Sequence, residues 1–169
     1  MANVHKVLGI DTSLRSTGVG VVEGRGSVLR AVRYDVIRNP AGRTHTECLA
    51  HLFTRVREIV RGDQPGAAAV EGVFLSKNAR TAMILGQARG VVLAVCALEG
   101  IPVYEYAPRR IKQAVVGYGN AHKDQVAQMI MRLLGLKEQP PEDAADALAM
   151  AVCHLHQHTV PSAMRDEPI

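Results

Sequence analysis

Four acidic residues stand in segments that would not otherwise carry charge. Asp11 directly follows the apolar run Val7-Leu8-Gly9-Ile10, and Glu71 directly follows Ala68-Ala69-Val70. Each is delivered by a segment that reads as core strand, where a lone buried carboxylate would be expensive. Asp143 and Asp146 stand at i and i+3, which places both on one face of a helix just after Pro140-Pro141. The helix dipole favours anions at that end. Singly, each acid has an ordinary reading: Asp11 as a turn residue before Thr12 and Ser13, Glu71 as the partner of an arginine, the two aspartates as first-turn acids. Asp63 and Glu142 keep that structural reading. Jointly, the two strand-end acids and the helical pair call for a cation, and hard oxygen donors with no His or Cys at ligand spacing suit Mg²⁺ or Mn²⁺ better than zinc. Two such ions ~3.5–4 Å apart would activate a water and stabilise the leaving oxygen in phosphodiester hydrolysis. The chemistry expected is that of a metal-dependent nuclease.

The elements that must position these acids follow from the apolar pattern. Val4–Ile10, Gly18–Val22 and Val28–Ile37 are β-branched-rich runs separated by turn residues, which predicts a three-strand meander. From Arg43 to Val60 apolar residues recur at three- and four-residue steps, predicting a helix that ends at Gly62, Asp63 and Pro65. Ala67–Val70 is short and continuously apolar, as expected of a central strand covered on both faces. Asn78 is the expected N-cap of a helix running to about Glu99, closed by Gly100, and Val103–Tyr106 is a fifth strand. Pro108 opens a short helix, Lys123–Leu134 forms another, and Glu142 to about His156 forms the last. The order predicts an α/β fold, a five-stranded mixed sheet with helices on both faces and its ligand site at the strand ends.

Composition narrows the function classes. A chain of 169 residues, 47% hydrophobic, fits one domain, expected over residues 1–157, with a flexible tail at 158–169. The formal charge of +4 favours an anionic partner. Cys48, Cys96 and Cys153 are odd in number and widely spaced, which argues against a disulfide framework or a CxxC metal clip. No secretory leader is expected in MANVHKVLGI, and Gln87 and Arg89 interrupt the most apolar stretch, so no membrane association is expected and the cytoplasm is the expected compartment. His154, His156 and His158 suit a helix C-terminus rather than a metal.

With these residues in place the chain resembles the RuvC family of Holliday-junction resolvases from about Val7 to His156. The resemblance rests on GID followed by R-x-T-G-x-G-V, VEGVFLSKN at 70–78, LGQARG at 85–90, IKQAVVGYG at 111–119 and DAADALAMA at 143–151. It implies an RNase H-like fold, a homodimer, and paired symmetric nicks across a four-way DNA junction with Mg²⁺ or Mn²⁺, two ions per site, in recombination and repair. By motif position the family's acids fall on Asp11, Glu71, Asp143 and Asp146; the third can be His in some members. The resemblance also implies a junction-stacking role for Phe74, phosphate contacts for Lys112 and Lys123, and a branch-migration complex as partner. Lys77, Arg109 and Arg110 would extend a basic stripe, with Arg15 a lesser candidate. One departure stands out: where the family reads DPG, this chain has Asp11-Thr12-Ser13, and serine lacks glycine's backbone freedom.

Gly86 and Gly90 lie in a helix, where each glycine costs ~0.5–1 kcal/mol relative to alanine. They imply close packing, either in the core or across a dimer interface. A nucleotide-binding domain of the actin and sugar-kinase type is not expected, since that fold needs a second lobe with its own glycine-rich strand turn and the close acidic pair would repel ATP without ions. A nuclease of this fold acting on another nucleic acid, and a non-catalytic junction-binding protein, are the remaining alternatives.

Overall fold

The structure, a computed structural model, describes residues 4–72, 78–157 and 166–169. Strands β1 (Val4–Asp11), β2 (Ser16–Arg25) and β3 (Val28–Arg38) form the antiparallel meander, and β4 (Ala67–Glu71) and β5 (Val103–Tyr106) add in parallel on the other side of β1. The order across the five-stranded sheet is β3-β2-β1-β4-β5. Helices α1 (His45–Asp63) and α2 (Ala79–Leu98) cover one face, and α3 (Pro108–Val116), α4 (Lys123–Leu134) and α5 (Glu142–Gln157) the other. The mixed sheet between two helical layers is the architecture the pattern implied.

Side-chain alternation along the strands sorts the two cores. Leu8, Ile10, Val19, Val21, Ala68 and Val70 join α1 and α2 in one apolar cluster, while Val7, Val22 and Ala69 join α3, α4 and α5 in the other. Asp11 shares the parity of Val7 and Gly9, and Glu71 that of Ala69. Both strand-end acids are therefore launched toward the α5 side. The parallel pairing of Ile10 with Val70 makes them neighbours on adjacent strands.

Helix α5 lies on this face at backbone distance. A Cβ added at Gly9 would sit 1.8 Å from the carbonyl oxygen of Ala147, and one at Gly18 would sit 1.9 Å from that of Asp143. At Gly20 it would meet Leu148 at 2.8 Å. Three glycines on two strands thus form a floor on which the alanine-rich helix rests. Strand β2 runs from Ser16 to Arg25 where only Gly18–Val22 was expected, continuing through Gly24, whose added Cβ would meet Leu155 of α5 at 3.1 Å. Its glycines lower strand propensity, but tertiary packing decides.

Local signals set the other boundaries. Helix α1 starts two residues into its expected span because Thr44 and Glu47 form a reciprocal capping box. Gln64 closes it in a left-handed conformation. Asn78 caps α2 by accepting the backbone N–H of Thr81 at 3.2 Å, as predicted. Residues 166–169, expected to be flexible, return to the body: Asp166 pairs with Arg110 at 2.8 Å, and the Ile169 N–H donates to the Val103 carbonyl at 2.9 Å.

The floor is testable by contrast. Gly9→Ala should destabilise the protein by ~3 kcal/mol or more, because two backbones would have to part. Gly62→Ala, in α1 with nothing within 4 Å of its Cβ position, should stabilise by ~0.5–1 kcal/mol. Urea unfolding of both variants measures the difference.

Candidate active site

The four acids meet at the C-terminal ends of β1 and β4. Asp11 and Glu71 are the last residues of their strands, and Asp143 and Asp146 lie in the first two turns of α5. A cleft of about 490 Å³ opens there, walled by Asp11, Thr12, Glu71, Lys112, Lys123 and Asp146 together with apolar residues of α2 to α5. A smaller cleft of about 110 Å³ adjoins it, reaching Gly72, Gly86 and Arg89. Asp143 does not line either cleft; its carboxylate accepts a hydrogen bond from the Ser16 hydroxyl at the start of β2. The helix-borne acids are thus unequal, with Asp146 facing the cleft and Asp143 held from the side.

Electrostatics bind the four into one unit. Burial pushes the Asp11 carboxyl up to about 7, and the charges of Asp146, Glu71 and Asp143 add to the rise, with Lys123 opposing it. Glu71 is raised by burial and then by Asp146, against Lys123 and Lys112. Asp146 is raised by burial, which outweighs the nearby Lys123. Half-buried carboxylates that each resist ionisation favour any cation that can sit among them. Among the described residues no three His, Cys, Asp or Glu side chains form a ready-made metal cage. An all-oxygen set of this openness fits a hard divalent ion that keeps water and phosphate oxygens in its shell.

The basic residues divide by their partners. Lys123 bridges Glu142 at 2.6 Å and stands 3.7 Å from Asp146. Lys112 lines the same cleft. Glu142, expected to be structural, therefore tethers a lysine of the site. Arg109 is exposed beside Gly119.

Two arginines proposed for the basic stripe are engaged elsewhere. Arg110 pairs with Asp166 and lies over the Tyr106 ring at 5.6 Å. Arg15 donates to the carbonyls of Pro40 and Arg43 at 2.8 and 3.2 Å and to the Cys48 sulfur at 3.3 Å. In this DNA-free structure their guanidinium groups fasten the C-terminal segment and the β3–α1 loop. Phe74 and Lys77 lie outside the described residues.

The segment after Asp11 accommodates its unusual sequence. Gln64 is the one non-glycine residue with positive φ among those described, so Ser13 needs no glycine-like backbone. Thr17 fixes the turn, its hydroxyl donating to the Ser13 carbonyl and accepting the Ser13 N–H at 3.2 Å. The Thr12 hydroxyl oxygen is buried beside Asp11 without a hydrogen-bond partner in the described chain. Sequence reasoning passed over Ser16, whose role depends on a contact 127 residues away.

The raised pKa of Asp11 carries a sign. Between its usual value of 3.8 and about 7 the folded chain holds this proton more tightly than the unfolded chain. Stability from this group is therefore present at low pH and lost as pH rises through that window. Asp11→Asn should raise the stability of metal-free protein at pH 8 by on the order of 1–3 kcal/mol, with the difference vanishing near pH 4. Thermal melts in chelator across pH 4–8 measure it.

Comparison with known proteins places the chain. Residues 7–154 match the sequence profile of the family described as crossover junction endodeoxyribonuclease RuvC. The RuvC of Moorella thermoacetica is 50% identical over 149 residues, covering 88% of this chain and 89% of that protein. That of Chloroflexus aggregans is 48% identical over 161 residues, covering 95% and 97%. Among solved structures, Thermus thermophilus RuvC in complex with a Holliday junction substrate superposes with a TM-score of 0.90 at 35% identity, covering 98% of this chain and 99% of that one. The fold is RNase H-like, and the chain belongs to the RuvC family of crossover junction endodeoxyribonucleases.

Proposed function

We propose that this chain resolves four-way DNA junctions by paired, symmetric nicks in recombination and repair. The observation that carries the reading is the meeting of Asp11, Glu71 and Asp146 at one strand-end cleft, with Asp143 beside it and Lys112 and Lys123 on its wall. Bound Mg²⁺ or Mn²⁺, two ions per site, would supply activation of the attacking water and charge stabilisation at the leaving oxygen.

The chain's own groups do the rest. Asp11, Glu71 and Asp146 offer cleft-facing oxygens, and Asp143, steadied by Ser16, completes the charge from the side. Lys112 and Lys123 offset the like charge of acids and phosphate and hold a backbone strand against the cleft. The relative from Thermus thermophilus is described with a Holliday junction substrate, which supports the same substrate class here.

A junction presents two scissile strands, which calls for two sites and hence a homodimer. Helix α2 suits that use. It is long and apolar, with Met83 65% and Leu98 70% exposed, and a Cβ at Gly86 or Gly90 meets nothing within 4 Å among the described residues. The space those glycines keep is thus not spent on the described core, leaving the interface explanation. A cytoplasmic setting and work alongside a branch-migration complex complete the proposal and rest on the family resemblance.

With Mg²⁺ or Mn²⁺ the purified protein should nick a synthetic four-way junction in pairs and leave linear duplex largely intact; equal cutting of both would sink the junction reading. Asp146→Asn should abolish cleavage while sparing junction binding in a gel-shift assay. Gly90→Arg should yield a folded monomer by analytical ultracentrifugation, and an unchanged dimer would displace the interface from α2.

A further inference from the structure

Arg89 of α2 stands beside the acids without joining them. Its guanidinium forks: one nitrogen donates to the backbone carbonyl of Glu71 at 2.7 Å, the other to the Glu105 carboxylate at 2.6 Å. Parallel pairing of β1 with β4 ends at Ile10 and Val70. The Glu71 carbonyl lies beyond that ladder, where Arg89 supplies its hydrogen bond. On the other side the Gly72 N–H donates to the Tyr106 carbonyl at 2.8 Å.

Glu105 completes the arrangement. It pairs in register with Val70 on β5 and so faces α2, and its carboxylate lies against Gly72, where an added Cβ would meet it at 3.2 Å. The Arg89 side chain is 20% exposed and that of Glu105 29%, so the pair is partly shielded from water. The guanidinium is paired with Glu105, and what reaches Glu71 directly is a hydrogen bond to its backbone carbonyl.

We infer that Arg89, anchored by Glu105, is a positioning residue that fixes the end of β4 so that the Glu71 carboxylate stays aimed at the metal site. The inference rests on the reading of Glu71 as a metal ligand. Arginine is required because only its planar fork spans a carbonyl and a carboxylate at once; lysine keeps the charge and the stem but loses the fork.

Binding of Mn²⁺ alone, followed by the loss of the free-ion electron paramagnetic resonance signal, tests this without turnover. Arg89→Gln should weaken Mn²⁺ binding about tenfold, the scale typical of groups that orient metal ligands. The Mg²⁺ concentration for half-maximal junction cleavage should rise by the same factor, with junction binding in chelator unchanged. Arg89→Lys, which preserves packing should the first variant fail to fold, should shift both in the same direction by a smaller factor. Wild-type Mn²⁺ affinity in either folded variant overturns the inference, as does a lowered Tm with unchanged metal affinity. Glu71→Gln serves as the reference: if it leaves Mn²⁺ binding intact, the ligand reading fails, whereas loss there with none at Arg89 rejects only the positioning role.

Discussion

Helix α5 touches the sheet backbone to backbone, and the geometry of the site follows from that contact. The carbonyls of Asp143 and Ala147 occupy the space that side chains at Gly18 and Gly9 would fill. Ordinary helix-to-sheet packing interposes side chains on both surfaces, and the separation then varies with their size. Here the glycines remove one layer, and Ala144, Ala147 and Ala151 thin the other, all of them buried. The distance between the helix acids and the strand acids is therefore set by backbone contact, which does not relax through rotamer changes. A site that has to hold several carboxylates in a fixed relation gains most from such a support.

That fixed relation has an energetic consequence. The same packing that brings Asp11, Glu71 and Asp146 together buries them, and burial is the leading cause of the raised pKa at each. In the absence of a cation the site is a local source of instability, and the core clusters on both faces of the sheet must offset it. Such conflict between local stability and polar chemistry is expected at functional sites. Lys123 relieves part of it, but Glu142 holds that lysine by the shorter contact, 2.6 Å against 3.7 Å to Asp146. The lysine is thus kept close without neutralising the acid outright. A divalent ion can then enter without first displacing a tight ion pair.

Much of this was legible in the sequence, and the limit lies where contacts become long-range. Alternation of apolar residues placed Asp11 and Glu71 at strand ends, and the i, i+3 spacing placed Asp143 and Asp146 on one helix face. Those inferences use periods of 2 and 3.6 and need no partner. The extent of β2 was underestimated because Gly24 reads as part of the turn to the next strand until Leu155 of α5 is laid over it. Arg15, Arg89 and Arg110 are chemically alike, yet a sequence cannot tell which arginine meets a loop carbonyl, which a strand end and which the C-terminal segment. The capping box of Thr44 and Glu47 was present as a four-residue signal and gives the α1 start more sharply than the apolar pattern did.

The turn after Asp11 shows how a departure from a family pattern is absorbed. With Thr12 and Ser13 in place of proline and glycine, the turn loses one residue of fixed φ and one of wide freedom. Its shape is supplied by side chains instead. Thr17 grips both the carbonyl and the N–H of Ser13, and Asn39 donates to the Leu14 carbonyl at 2.8 Å. Asn39 is in turn held by His51 at 2.9 Å and by Arg43 at 2.9 Å, while Arg15 ties the turn to the loop before α1. Restraint that a proline would build into the chain is here distributed over hydrogen bonds reaching from β1 to α1. The backbone at Asp11 is thus held through contacts with a helix on the opposite face from α5, which couples the site to both layers of the fold.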